Sequence, residues 1–170
     1  MTVVNEIADA KAVLDKALAW RYSRIVLAGH SQGGVVASML AGYYPDVIDQ
    51  LVLMAPAATL KMDAQQGVLQ GSTYDPQHIP AYLDIRDGLK VGGFYLRTAQ
   101  QLPIYEVAQQ YAGPVTLIHG TADRVVSPRA SEKYHEFYQH SQLHWVQDGD
   151  HRFSGDARAA AIHLALAAFK

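Results

Sequence analysis

Arg24-Ile25-Val26-Leu27-Ala28-Gly29-His30-Ser31-Gln32-Gly33-Gly34-Val35-Val36-Ala37 decides how the chain is read. The short apolar run Arg24 to Gly29 has the pattern of a strand buried on both faces. Val35 to Tyr43 reads as a helix stopped by Pro45. Between them Gly29-His30-Ser31-Gln32-Gly33 spells G-x-S-x-G at a strand-to-helix turn. The spacing alone is common, but a nucleophilic serine elbow needs this context. A serine on such a strained turn projects Oγ clear of the backbone. Side chains two positions to either side are expected to collide, which asks for glycine at both. The helix behind the turn points N–H groups at a developing oxyanion. The plainer alternative makes Ser31 a capping residue of a Gly-rich helix start.

The same alternation continues outward. Residues 5–19 form a predicted amphipathic helix, with Ile7, Ala10, Leu14 and Leu18 on one face and Asn5 as its cap. Gln50 to Ala55, Pro114 to His119 and Leu143 to Val146 read as three more strands. Ser127-Pro128 caps and starts a helix to about 139, and 155–169 is a last, Ala-rich helix. Strands alternating with helices predict an α/β fold, one domain over 1–170 with a mainly parallel sheet. Residues 57–112 break the rhythm. Rich in Gly, Pro, Gln and Tyr, and too long for a plain connection, they read as a cap insertion over the sheet.

A serine hydroxyl needs a base, and the base needs an orienting acid. In such folds the chain order is Ser, Asp or Glu, then His. His119-Gly120-Thr121-Ala122-Asp123 follows the third strand and Asp148-Gly149-Asp150-His151 the fourth. Both loops lie beyond strand C-termini, at the edge where ligands bind in open parallel sheets. Asp123 and His151 are therefore the candidate acid and base. Asp148 and Asp150 precede a helix and have a capping role open to them; for Asp123 the plainer alternative is a turn former. His119 reads as structural, His144 lies in a strand, His135 and His140 on or just after a helix, and His163 in the last helix.

Composition excludes other classes. Of 170 residues 49% are apolar and 18% charged, with a net charge of −2, an ordinary globular balance without a nucleic-acid surface. There is no cysteine, so disulfides and thiol chemistry are excluded. Neither HxH nor HExxH spacing occurs, and no metal or other cofactor is expected. No secretory signal or membrane span is legible, which predicts a cytoplasmic protein with no membrane partner.

Gly29-His30-Ser31-Gln32-Gly33-Gly34-Val35-Val36-Ala37-Ser38, Leu53-Met54-Ala55-Pro56-Ala57-Ala58, Gly92-Gly93-Phe94-Tyr95-Leu96-Arg97, Gln101-Leu102-Pro103-Ile104-Tyr105-Glu106 and His119-Gly120-Thr121 resemble bacterial cinnamoyl (feruloyl) esterases. These are small α/β-hydrolases that release hydroxycinnamic acids from ester links. The resemblance spans nearly the whole chain, the insertion included. It implies Ser31 as nucleophile, Asp123 as acid, His151 as base and the backbone N–H of Gln32 as one oxyanion donor. It implies that the insertion forms the acyl pocket, with Asp63, Gln70 and Tyr95 at the phenolic end of the acid.

Members of that family continue well upstream of Met1, with further strands and a loop, often after a His-Gly pair, carrying the second oxyanion donor. The resemblance thus implies a truncated product, a fragment or a shortened variant, with about four strands left. Losing one oxyanion donor typically costs about 10²–10³ in kcat. The strand at 24–29 is then an apolar edge, and a homodimer or higher oligomer covering it is expected. Two other functions stay open: a lipase, thioesterase or peptidase on the same scaffold, and a non-catalytic remnant serving as a binding or oligomerising module.

Overall fold

The computed structural model describes residues 1–85 and 88–169; positions 86 and 87, inside the predicted 57–112 insertion, lie outside it. Four parallel strands make the main sheet: β1 (Val26–His30), β2 (Gln50–Met54), β7 (Val115–Gly120) and β8 (Ser141–Val146). They lie in the order β1-β2-β7-β8. Register sets Gly29 beside Leu53, Met54 beside Ile118 and His119 beside Trp145. All four strand ends therefore reach the same edge of the sheet.

Alternation gives each strand two faces. Leu51, Leu53, Val115 and Leu117 belong to the larger core, with Val35, Met39 and Leu40 of α2 (Gln32–Tyr43), Ile104 and Ala108 of α5 (Ile104–Ala108), and Tyr134 of α6 (Arg129–Phe137). Val52, Ile118 and Val146 face the other way, against Ala161 of α7 (Ala157–Ala168) and Phe153. The central strands are buried, as their mainly apolar sequences require. β1 departs from the reading of a strand buried on both faces. It is half-buried, because it forms an edge of the sheet among the described residues.

α1 runs Val3–Ala19, two residues earlier than predicted. Its cap is Thr2, not Asn5. Thr2 has the extended backbone of a cap, and its Oγ1 accepts from the Asn5 N–H at 3.3 Å. Asn5 sits at the third helical position, where its Oδ1 accepts from the Thr2 hydroxyl at 2.7 Å. α2 likewise begins at Gln32, three residues before the predicted Val35, and starts immediately after the serine. Ser127 gives α6 no side-chain cap; its carbonyl accepts from the Ala130 N–H instead.

Between β2 and β7 the described chain forms α3 (Leu60–Gln65), the hairpin β3 (Val68–Leu69) and β4 (Ser72–Thr73), the pair β5 (Tyr82–Asp84) and β6 (Lys90–Gly92), then α4 (Gly93–Gln101) and α5. Its apolar residues, Leu60, Ala64, Leu69, Leu83, Leu96 and Ala99, join the larger core. No described helix is long and apolar enough to cross a membrane.

Candidate active site

Ser31 follows β1 at φ 55° and ψ −124°, a backbone conformation that side chains rarely adopt. Its N–H donates to Met54 at 2.9 Å, and its carbonyl accepts from Gly34 (2.9 Å) and Ala57 (3.0 Å). These bonds fasten the strained turn to the end of β2. Although Ser31 is the cap residue of α2, its side chain makes no capping bond. The hydroxyl instead lies 2.8 Å from His151 Nε2. The capping alternative is therefore set aside.

The glycines divide. A Cβ on Gly29 meets the Gly33 carbonyl oxygen at 2.2 Å, so that glycine is required. A Cβ on Gly33 meets nothing within 4 Å, which corrects the expectation of a collision there. The second required glycine is Gly34, whose Cβ falls 2.9 Å from Pro56. The tight approach runs between the Gly29 position and the first turn of α2, and only one partner has to lack a side chain.

Asp123 follows β7, with its carboxylate fully buried. Oδ1 accepts from the backbone N–H groups of Val125 (2.8 Å) and Val126 (2.9 Å), and Oδ2 accepts from His151 Nδ1 at 2.8 Å. The turn-forming and orienting roles are thus combined in one side chain. Burial alone raises this carboxyl, but hydrogen bonds from His119, His151 and the two backbone N–H groups outweigh it and hold Asp123 well below the usual carboxylate range. With Nδ1–H committed to the carboxylate, His151 turns its Nε2 lone pair to the Ser31 hydroxyl. The acid and base loops meet where a Cβ on Gly120 falls 2.1 Å from the Gly149 carbonyl.

Sequence reasoning left His119 a merely structural role and missed its contact with Asp123. Fully buried, it places Nε2 3.2 Å from both Asp123 Oδ2 and the Val126 carbonyl. Both are acceptors, so Nε2 carries the proton, and Nδ1 accepts from Ser131 Oγ at 2.7 Å. A histidine closing a buried apolar strand needs polar partners, and that was the available signal. Asp150 closes its own turn, accepting from the N–H groups of Arg152 (3.0 Å) and Ser154 (2.8 Å), and does not cap α7.

Gln32 opens α2, where the first N–H groups of a helix have no partner within it. Its side-chain amide donates to the Glu6 carboxylate, at 2.8 Å to each oxygen, and accepts from the Tyr95 hydroxyl at 2.5 Å. Glu6 gave no sign of this in the sequence. Burial, with a smaller contribution from the Glu6 charge, pushes the Tyr95 hydroxyl well above the usual phenol range, so it stays a neutral donor. Asp63, Gln70 and Tyr95 line, with Ser31, a cavity of about 100 Å³. Asp63 accepts from Thr59 Oγ1 at 2.8 Å, and Gln70 occupies a positive-φ position at 48°. A neighbouring cavity of about 320 Å³ shares Gln32, Leu69, Gln70 and Tyr95 and adds Glu6 and Lys90. Among the described residues no three His, Cys, Asp or Glu side chains gather in a metal-binding group.

This arrangement can pass a proton from Ser31 to His151 while Asp123 stabilises the resulting imidazolium. The chain is similar to known proteins to different extents. The model of the family described as "Serine aminopeptidase, S33" matches residues 4–80, a stretch that contains the elbow. No curated protein sequence matches the chain significantly. Among solved structures, Est1E from Butyrivibrio proteoclasticus is 30% identical with a TM-score of 0.90, over 96% of this chain and 68% of that one. The structure described as ferulic acid bound to Est1E gives 29% identity and a TM-score of 0.92, over 99% and 70%. A structure reported with LipS and LipT, two metagenome-derived lipolytic enzymes, is 18% identical with a TM-score of 0.75, over 98% and 73%, which speaks to the fold alone. With this fold and this likeness to Est1E, the chain belongs to the bacterial esterases of the α/β-hydrolase superfamily.

Proposed function

We propose that the protein is a serine carboxylic-ester hydrolase that releases hydroxycinnamic acids through an acyl-enzyme on Ser31. One observation carries the reading. The Ser31 Oγ, His151 and Asp123 form a chain of 2.8 Å hydrogen bonds, with the serine on a strained turn and its hydroxyl free of any capping bond. His151 takes the proton as Oγ attacks the ester carbonyl, and Asp123 fixes the tautomer of the base. The backbone N–H of Gln32 meets the oxyanion. The alcohol leaves with the proton from His151. Water then attacks the acyl-enzyme with His151 again as base, releasing the acid.

The acyl portion is supported by two observations. The cavity beside Ser31 is small and partly polar, and Asp63, Gln70 and Tyr95 place a carboxylate, an amide and a phenol in its wall. Est1E, 29% identical, holds ferulic acid. A wall carrying a carboxylate, an amide and a phenol suits a phenolic acyl group better than a long alkyl chain.

Hydrolysis of methyl ferulate, p-nitrophenyl acetate, a long-chain p-nitrophenyl ester and an alanine p-nitroanilide, each with the wild type and Ser31→Ala, tests the proposal. Turnover of methyl ferulate and the acetate by the wild type alone is the expected result. Preference for the long-chain ester would favour a lipase. Preference for the anilide would favour the peptidase chemistry named by the matching family model. Undiminished activity in Ser31→Ala would remove the assignment.

A further inference from the structure

The loop carrying His151 is held in a demanding shape. Asp148 and Phe153, on either side of the histidine, both have positive φ, at 55° and 51°. Most of its anchors tie it to the acid loop or to itself. The Thr121 N–H donates to Val146 and the Ala122 N–H to Gly149, each at 3.0 Å, while the Asp148 N–H donates to Thr121 Oγ1 at 2.8 Å. Asp150 Oδ1 closes the turn from within. None of these bonds sets the distance between the base and the nucleophile.

His30 is placed to set it. It is the residue before Ser31, at the end of β1, and its Nε2 lies 2.7 Å from the backbone carbonyl of His151 itself. A carbonyl only accepts, so His30 Nε2 carries the proton and donates, in the neutral or the charged ring alike. The His30 ring also lies 4.9 Å from the His151 ring and 6.1 Å, edge-on, from Phe153. The link joins the neighbour of the nucleophile to the peptide of the base. Little chain is left at either end to absorb movement.

We propose that His30 is a positioning residue: a strut between elbow and histidine loop that keeps His151 Nε2 within hydrogen-bond reach of Ser31 Oγ. The inference rests on the Ser31 hydrolase reading for its catalytic meaning. Its physical content, a histidine loop tied to the His30 side chain at the end of β1 by one donor, stands apart from that reading. The strut acts on the reacting geometry and not on substrate binding, so its loss falls on kcat and leaves KM nearly unchanged.

The test compares His30→Phe, which keeps an aromatic ring but no donor, with His30→Gln, which restores an N–H at similar reach. Two readouts are taken: kcat and KM on methyl ferulate, and the rate of tryptic cleavage after Arg152, an exposed site next to His151. His30→Phe is expected to lower kcat by up to about 10²-fold, the effect of misplacing a catalytic group by about 1 Å. Cleavage after Arg152 should rise about three- to tenfold, the worth of one lost hydrogen bond. His30→Gln should recover most of both.

A His30→Phe protein that turns over and resists trypsin like the wild type would overturn the inference while Ser31-dependent hydrolysis stood. Equal impairment in both variants would overturn it too, because ring packing and not the donor would then hold the loop. Should the wild type show no Ser31-dependent turnover, the hydrolase reading fails and the catalytic role of His30 fails with it, while the cleavage rates still report on the tether.

Discussion

Asp123 is the residue on which the site's electrostatics turn. Its buried carboxylate accepts four hydrogen bonds, two from imidazoles and two from backbone, and these keep it ionised well below the usual range. A carboxyl depressed on folding stabilises the native state above its unfolded pKa of about 3.9, and that contribution is lost as pH falls toward the lower folded value. Asp123→Asn removes this dependence. Urea unfolding from pH 7 to pH 3 should show the gap between wild type and variant widest near neutrality and narrowing below about pH 4. The same variant should lose about 10⁴-fold in kcat, because the neutral amide favours the wrong tautomer of the base. A constant stability gap across that range would mean that the carboxylate is not held in its charged form by folding.

At the scale of elements, the elbow joins β1 to α2 through a close backbone approach. Gly29→Ala drives a Cβ into the Gly33 carbonyl at 2.2 Å and should destabilise by about 2–3 kcal/mol or more. Gly33→Ala meets open space near a helix start and should leave stability unchanged or raise it by up to about 1 kcal/mol. Denaturant unfolding of the two variants separates them, and similar losses in both would show that the approach is not as described. That asymmetry was not legible in the sequence, where both glycines of G-x-S-x-G look equally required. The elements themselves were legible. Gln50 to Met54 and Val115 to Gly120 are mainly apolar because both faces of β2 and β7 are buried. Boundaries were less so. Thr2 takes the cap of α1 because only the folded chain shows which residue turns extended. The contacts that converge on the site from afar, Glu6 on Gln32, His119 on Asp123 and His30 on His151, leave no local pattern. Each side chain is ordinary until the sheet brings its strand ends together.

Across the whole molecule, one sheet organises everything. Ser31, Asp123 and His151 come from the ends of β1, β7 and β8, and their parallel register brings widely separated positions to a single edge. The order of the site residues along the chain, Ser then Asp then His, is legible before folding because the topology requires it. The sheet also leaves a question at its margin. Among the described residues the outer side of β1 pairs with no strand, and an open edge is a template for another chain. We propose that copies of this chain associate through β1. Sedimentation should then find a dimer or larger assembly at micromolar concentration, and a stable monomer would contradict it.

The proposed chemistry depends on the activation of Ser31 by His151 and Asp123. A fluorophosphonate probe tests it most directly, since only an activated serine reacts quickly and no substrate need be guessed. The expected result is one adduct per chain, mapped by mass spectrometry to the peptide carrying Ser31, absent in Ser31→Ala and much slower to form in Asp123→Asn. A folded wild-type chain that takes up no probe, or takes it up at another residue, would contradict it.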